Sequence, residues 1–327
     1  MNPGLDQRGV ELVAVINSFN RRSLLERAVT TLTSALQGAQ FGSAIVVFDA
    51  GSEDGSLEFL KAWRENNPGH NLAIIEAAFD RRSFSDGVNI ACADAIARFP
   101  KTRWFFLYET DNCLANIEPL EKAIRLLNLE PQLAAAGFTV KQHDGRFFGY
   151  GMQFPSMLSF ALGQNLAALC NLHAPNNSAW RTSDGIRWRT CDAVFTSPLL
   201  IRRQAWEQTN GFDAVNFPFS DTDLDWAWRC AKLGWGMAII ASEDVIHDNL
   251  EQLSAWSADR VVDFHRNRFR LLKRHRGKHV ALLKPILFLR HGLEALILKG
   301  RSRVDSAAKE KLAKRKQMLR TVWSNYS

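Results

Sequence analysis

Three short polar segments have residue types that could carry chemistry. They are Asn17-Ser18-Phe19-Asn20-Arg21, Asp49-Ala50-Gly51-Ser52-Glu53-Asp54-Gly55 and Glu109-Thr110-Asp111-Asn112. Each follows directly on an apolar run: VELVAVI (10–16), AIVVF (44–48) and RWFFLY (103–108). Taken singly, each is ordinary turn chemistry, because Asn, Asp, Ser and Gly close turns. Three such segments at strand ends are more than turn-making needs. Carboxylates accept hydrogen bonds from ligand N–H and O–H groups, and the guanidinium forks of Arg21, Arg22, Arg81 and Arg82 match phosphate oxygens. A further carboxylate, Asp221, stands in FSDTDLDWAWRCAKLGW (219–235). There Ser220 is placed to cap a helix, with Asp223 three residues on in the manner of a capping box. Leu224, Ala227, Trp228 and Ala231 recur at helical spacing, and Gly234 or Gly236 ends the helix. Asp221 lies nearest the edge of that apolar stripe, with Asp223 and Asp225 further round. Asp221 is therefore expected to point inward at a helix N-terminus, where the dipole favours an anion.

The elements that must position these groups alternate. A helical stripe at Leu24, Leu25, Ala28, Val29, Leu32, Ala35 and Leu36 follows the first apolar run. Ser56 can cap a second helix carrying Leu57, Leu60 and Trp63, LAIIEA (72–77) is a third strand, and Val88, Ala91, Cys92, Ala95 and Ile96 mark a third helix. Strand–helix repetition with near-continuous apolar strands implies an α/β fold with a mostly parallel sheet covered on both faces. Ligands of such sheets bind beyond the carboxyl ends of the strands, where the three polar segments fall. Residues 141–190 are irregular and rich in Gly, Asn, Trp and Arg, as expected of a long lid or substrate-binding excursion over the site.

Composition narrows the class. The 327 residues are 46% hydrophobic and 23% charged, which excludes collagen-like, mucin-like and wholly disordered chains. Five cysteines without a C-x-x-C pair argue against a disulfide framework or zinc ribbon and suit a reducing cytosol. The opening MNPGLDQRG has no apolar stretch of the secretory kind. The net charge of +7 conceals an asymmetry: residues 260–327 hold 19 Lys/Arg against 4 Asp/Glu, and residues 1–259 hold 22 against 30. An acidic body thus carries a basic tail drawn to polyanionic surfaces.

In order and spacing the motifs resemble the family 2 glycosyltransferases with the GT-A fold, over roughly residues 10–275. VINSFNR resembles the family's opening strand end, VVFDAGSEDGS its nucleotide-holding Asp-x-x-Ser-x-Asp-Gly, and FSDGVNIACADA a Gly-x-x-x-Asn segment with Asn89 in the Asn position. FFLYETDN falls where the family has Asp-x-Asp. SPLLIRRQAWEQTNGFD resembles its acceptor-side Arg-Arg…Gly-Gly-Phe-Asp element, FSDTDLDWAWRCAKLGW its Glu-Asp-x-Asp-Leu…Arg…Gly-Tyr, and IIASEDVIHD the segment ending in a metal-facing His. The resemblance implies a GT-A catalytic domain over 1–259, with a nucleotide-sugar half to about 140 and an acceptor half over 141–259. A basic helical extension follows over 260–327.

The resemblance also implies chemistry. A nucleotide-diphosphate sugar brings two phosphates and a leaving group that departs as an anion, both of which a divalent cation neutralises. Asp111 is implied as first ligand, Glu109 as assisting, and His247 as completing the shell. Mn²⁺ suits the imidazole better than Mg²⁺, though either ion is expected. Asp49 is implied to receive the base or ribose, with Asn20, Ser52 and Asn89 also on the donor side; Ser52 and Asp54 could instead cap the following turn. Asp221 is implied as general base for in-line, inverting transfer. The sequence departs from the family in Ser220-Asp221 for Glu-Asp and Glu-Thr-Asp for Asp-x-Asp. It lacks the Gln-x-x-Arg-Trp of processive synthases, so single-sugar addition is implied, with a UDP-sugar as default donor and a glycan or lipid-linked saccharide as acceptor.

In the tail, FHRNRFRLLKRHRGKH (264–279) is basic and VALLKPILFLRHGLEALIL (280–298) is long enough to span a bilayer. Lys284, Pro285, Arg290, His291 and Glu294 make spanning costly. An in-plane amphipathic helix on an anionic membrane, through 264–298, and a helix packed on protein are both open. The expected location is cytoplasmic, with peripheral attachment to the inner face of the membrane open. His275 and His279, without the Glu of His-Glu-x-x-His, read as solvated. Rival readings are a sugar nucleotidyltransferase, opposed by the absence of Gly from NSFNRRS, and a nicotinamide enzyme, which lacks Gly-x-Gly-x-x-Gly. A catalytically impaired sugar-nucleotide-binding scaffold draws on the missing Glu. Nucleic acid is not expected as a partner, given the acidic body.

Overall fold

The computed structural model describes residues 9–78, 80–141, 145, 147–149, 151–170, 172, 179–247, 258–303 and 305–321. The chain opens β1 (Val10–Ser18), α1 (Arg22–Gln37), β2 (Gly42–Asp49), α2 (Ser56–Asn66), β3 (Leu72–Glu76), α3 (Phe84–Arg98) and β4 (Trp104–Leu107). There follow β5 (Asn112–Leu114), α4 (Glu118–Leu129), β6 (Leu133–Lys141), β7 (Phe147–Gly149), β8 (Gly151–Met152) and α5 (Met157–Leu169). Next come β9 (Arg181–Ser183), β10 (Ile186–Cys191), β11 (Ala193–Val194), β12 (Leu199–Arg202), α6 (Arg203–Gln208), α7 (Thr222–Lys232), β13 (Gly236–Ile240) and β14 (Val245–His247). Helices α8 (Ala258–Arg276), α9 (Leu283–Arg301) and α10 (Ser306–Thr321) close the described chain.

Contacts divide the chain into two compact units: residues 1–152 with 175–249, and 153–174 with 250–327. The second unit takes in α5, which the sequence placed in the acceptor half. The first unit is the sheet. Its main path runs β3-β2-β1-β4-β12-β6-β13-β10-β9, and among the described strands only β12 and β10 run against the others of that path. The strands are parallel and central for the reason their sequences suggest: Leu12 to Ile16 and Trp104 to Leu107 are buried on both faces. On one face Leu12, Ala14, Ile16 and Phe106 pack under the apolar stripes of α1 and α4, including Leu25, Leu32, Leu120 and Leu127. Each of the leucines, Ile16 and Phe106 contributes about 1.5–3 kcal/mol when fully buried. On the other face α3 lies over β1 and β2. Ser83 caps α3 by accepting from the Asp86 N–H at 3.0 Å.

Two expectations are corrected. The span 141–190 is not one irregular excursion: it contains β7 to β10 and α5, with residues 142–144, 146, 150, 171 and 173–178 outside the described set. Helix α5 escapes periodicity because Gly163, at φ 78°, breaks it midway. Ser56 and Ser220 are not N-caps. Gly55 precedes α2 in the left-handed conformation, and the Asp54 carboxylate takes the Ser56 N–H at 3.1 Å. Asp221, at φ 59°, occupies the N-cap of α7 without a side-chain capping bond.

The second unit is helical and basic. Phe269, Leu271, Leu272, Leu283, Leu287 and Met318 are buried within it. Arg290 of α9 donates to the carbonyls of Phe160 (2.6 Å) and Ala161 (2.9 Å) in α5. No described helix is long and apolar enough to cross a membrane.

Candidate active site

The polar segments after β1, β2 and β4 meet at one edge of the sheet, around a cleft of about 460 Å³. Asn17, Ser18, Phe19, Arg21, Ala50, Arg82, Phe84, Glu109, Thr110 and Phe219 form its walls. Parallel pairing sets this convergence, since Ser18 is in register with Asp49 on β2, and Val15 with Leu107 on β4.

Asp49 is buried at the end of β2. Its Oδ1 accepts from the N–H groups of Gly51 (3.0 Å) and Ser52 (2.8 Å), while Oδ2 is buried with no hydrogen-bond partner. A buried carboxylate oxygen left unpaired is costly, and a ligand donor would relieve it. Gly51 is needed beside it: a Cβ there would stand 2.8 Å from the Arg82 guanidinium carbon, and its φ is +86°.

Asn20 and Ser52 tie the loops that carry them to each other. The Asn20 N–H donates to Ser52 Oγ (2.9 Å), the Glu53 N–H donates to Asn20 Oδ1 (2.8 Å), and the Arg22 N–H donates to Asp54 (2.8 Å). These bonds clasp the first two loops together, which is a scaffolding role. Asn89, expected on the donor side, bonds to backbone. Its amide donates to the Phe212 carbonyl (2.8 Å) and accepts from the Phe212 N–H (2.9 Å), and it is not in the cleft wall. Of the four arginines, Arg21 and Arg82 line the cleft, whereas Arg81 pairs with Asp86 on the surface at 3.4 Å and Arg22 lies against Gly55.

Asp111 is buried after β4, with Arg21 Nη1 3.5 Å from Oδ2 and His247 Nδ1 3.5 Å from Oδ1. Neither contact closes Oδ1 in a hydrogen bond. His247 arrives through antiparallel β5–β14 pairing, opposite Asn112. Its Nδ1 lies 3.2 Å from both Asn112 Oδ1 and Ser197 Oγ. Asn112 uses its NH₂ to donate to the Glu109 carbonyl (3.2 Å) and Ser197 Oγ (2.9 Å). Its oxygen is therefore what faces the imidazole, an acceptor suited to the tautomer protonated at Nδ1.

Glu109 lies in the cleft wall and accepts from Thr196 Oγ1 at 2.8 Å. Its carboxyl is pushed up from the ordinary range, first by burial and then by the Asp111 charge, with Asp223 adding to the effect and Thr196 and Arg21 opposing it. Two crowded carboxylates, one with a buried unpaired oxygen, and a histidine fixed beside them are a donor set that fits a hard divalent cation. Even so, no three described His, Cys, Asp or Glu side chains converge into a ready-made cage. The expected trio of Asp111, Glu109 and His247 is therefore not gathered into such a group here, with His247 approaching Asp111 at 3.5 Å.

Asp221 is 6% exposed, two residues after Phe219 of the cleft wall. The start of α7 is tied to the start of α3. Ser85 Oγ donates to the Phe217 carbonyl (2.6 Å) and meets Thr222 Oγ1 (3.1 Å), and Thr222 Oγ1 also donates to Phe217 (2.8 Å). Asp225, expected further round the helix, is instead fully buried. It pairs with Arg229 at 2.8 Å, whose other nitrogens donate to the carbonyls of Thr209 and Gly211. That ion pair is structural. Thr196 lies outside the sequence motifs, and Ser85, Asn112, Ser197 and Thr222 lie inside them without a role of their own, because the partners Phe217, Ser197, His247 and Ser85 that give them one are distant in sequence.

No protein-family profile matches the chain. Among curated proteins, the N-acetylglucosaminyl-diphospho-decaprenol L-rhamnosyltransferase of Mycobacterium tuberculosis, in strains CDC 1551 / Oshkosh and ATCC 25618 / H37Rv, is 25% identical over 154 residues, 45% of this chain and 48% of the relative. The alignment thus spans about half the length of the curated relatives it matches. Among solved structures, mannosyltransferase PcManGT from Pyrobaculum calidifontis, in complex with GDP-Man and Mn²⁺, aligns with a TM-score of 0.53 at 15% identity, covering 97% of this chain and 87% of that one. GalNAc-T7 with UDP, GalNAc and Mn²⁺ aligns at 0.56 and 11% identity, covering 82% and 48%. The fold is that of the GT-A glycosyltransferases.

Proposed function

We propose that this protein transfers a single sugar, with inversion, from a nucleotide-diphosphate sugar to a hydroxyl of a glycan or lipid-linked saccharide in envelope or polysaccharide synthesis. The observation that carries the reading is a pair of buried carboxylate oxygens without hydrogen-bond partners, Asp49 Oδ2 and Asp111 Oδ1. Each is adjacent in the chain to a cleft-wall residue, Ala50 and Thr110. A nucleotide-diphosphate with its cation would satisfy both at once. Asp49 would accept from the imide N–H of a uracil or from a ribose hydroxyl, which favours UDP. Arg21 and Arg82 would meet the phosphates. Asp111, with Glu109 and His247, would hold Mn²⁺ or Mg²⁺, and such an ion supplies Lewis-acid stabilisation of the departing diphosphate.

Asp221 would take the proton of the acceptor hydroxyl as that oxygen attacks the anomeric carbon. Support comes from its left-handed backbone, which a non-glycine residue adopts at a cost and which clusters at functional sites, and from the α3–α7 bonds that fix its position. The lipid-linked acceptor class draws on the relative named for N-acetylglucosaminyl-diphospho-decaprenol.

A thermal-shift panel of UDP-, GDP- and dTDP-sugars with Mn²⁺ and Mg²⁺, followed by transfer assays on lipid-linked and free glycan acceptors, tests the reading. A UDP-sugar with a cation is expected to raise the apparent melting temperature, and the product is expected to have inverted anomeric configuration. Stabilisation by none of the sugar nucleotides would overturn it.

A further inference from the structure

Helix α9 has two apolar faces, and the described structure covers only one of them. Leu283, Leu287 and His291 are buried in the helical unit. Leu282, Ile286, Leu289, Leu293, Leu296 and Ile297 are exposed, Leu289 at 64% and Leu296 at 67%. At about 100° per residue these six fall in one arc of about 100°, centred about 130° from the buried three. Over residues 282–297 the stripe is about 22 Å long at 1.5 Å per residue. Soluble monomers seldom leave so large a contiguous apolar patch without a use for it.

The charge around the stripe says what fits it. Residues 258–321 contain 19 Lys/Arg against 5 Asp/Glu. Lys299 and Arg301, in the last turn of α9, lie about 90–110° from the centre of the stripe, and the helix has one acidic residue, Glu294. That carboxylate is taken up by Arg315 at 2.6 Å, with Arg290 and His291 beside it. A second copy of the chain would bring the same excess of positive charge against itself. An anionic surface is drawn in by it. Charged residues keep every described helix below the apolarity needed to cross a bilayer.

We propose that α9 lies in the plane of an anionic lipid bilayer, with this stripe sunk below the headgroups and the surrounding lysines and arginines on the phosphates. This membrane contact involves the helical unit alone and holds whatever sugar the first unit handles.

Co-sedimentation of the full chain with phosphatidylcholine vesicles, with and without phosphatidylglycerol, tests it. The expected results are binding to the anionic vesicles only, loss of binding at high salt, and at least about tenfold weaker binding for Leu289→Glu/Leu293→Glu. Both positions are exposed, so unchanged circular dichroism is expected. Should that variant lose helicity, Lys299→Glu/Arg301→Glu tests the same contact independently, with the same loss of binding expected. Three results would overturn the proposal: no binding to anionic vesicles, undiminished binding by both variants, or a wild-type dimer that Leu289→Glu/Leu293→Glu converts to monomer without any vesicle binding.

Discussion

His247 and Asn112 stand opposite each other in the β5–β14 register, with imidazole Nδ1 3.2 Å from the Asn112 amide oxygen. Strand pairing thus delivers the histidine to Asp111, and the amide oxygen offers an acceptor that favours a proton on Nδ1. Groups that orient a metal-binding histidine typically tune affinity 10–100-fold. Asn112→Ala is therefore expected to weaken Mn²⁺ binding in the presence of UDP by about 10–100-fold, read by titration with electron paramagnetic resonance. Asp111→Ala should abolish the metal dependence of nucleotide binding altogether. Equal Mn²⁺ affinity in Asn112→Ala would show that the imidazole is oriented by something else.

Asp49 separates recognition of the nucleoside from recognition of the metal. Asn at this position keeps an acceptor for the Gly51 and Ser52 N–H groups but replaces the unpaired Oδ2 with a donor. Asp49→Asn should lower UDP affinity at least about tenfold, since a donor would then face a ligand donor across a buried gap. Calorimetric titration with UDP and then with Mn²⁺ pyrophosphate distinguishes the two effects. Pyrophosphate binding is expected to survive.

Asp221→Asn is expected to fold, to bind UDP with unchanged affinity, and to lose transfer by about 10²–10⁴-fold, the usual range for removing a general base. Single-turnover kinetics at saturating donor is the appropriate measurement. Transfer at the wild-type rate would remove Asp221 from the mechanism and revive the reading of the chain as a sugar-nucleotide-binding scaffold.

Much of this site can be read from the sequence where a local signal suffices. The strands before Asp49 and Asp111 are continuous apolar runs, and a carboxylate at the carboxyl end of a parallel strand has few places to go. Pairings between distant segments are not readable in that way. Asn112 meets His247 across 135 residues, and Asn89 meets Phe212 across 123. Nothing near Asn89 tells a ligand amide from one that clasps backbone. Antiparallel β12, between β4 and β6, is equally silent, since its apolar run Leu199 to Ile201 is buried in either direction. The Asp221 conformation is hidden by a competing local rule. Ser is a common N-cap, but the chain turns through a left-handed Asp one residue later, which Asp tolerates better than most residues.

If Asn89 is a clasp, its loss should cost stability and not binding. Asn89→Ala removes the amide that both the N–H and the C=O of Phe212 bond to, and Phe212 packs edge-on against Trp206 and Trp226. A destabilisation of about 1–3 kcal/mol is expected, read from urea unfolding. UDP affinity measured well below the transition should match wild type. A selective loss of UDP affinity would instead return Asn89 to the donor site.

The helical unit should be acid-sensitive through two histidines. His265 is held well below the ordinary imidazole range, chiefly by burial and then by His291, Arg290, Arg315 and Arg268. His291 is lowered by burial too, with Glu294 opposing and Arg290 and Arg315 reinforcing. The rings lie 5.3 Å apart, and both nitrogens of His291 face guanidinium groups at 3.3 Å. Folded, both rings resist protonation, whereas the unfolded chain takes up protons below about pH 6.5. The unfolded state then binds more protons, so stability is retained above pH 6.5 and declines as pH falls below it, by up to about 1.4 kcal/mol per pH unit for each histidine. Hydrogen exchange of α8 to α10 at pH 7.5, 6.5 and 5.5 should show protection lost at the lowest value. In His265→Phe/His291→Phe that decline should flatten. An unchanged slope would assign it to carboxylates, with Glu294 the first to examine because its partners already hold it below the usual range.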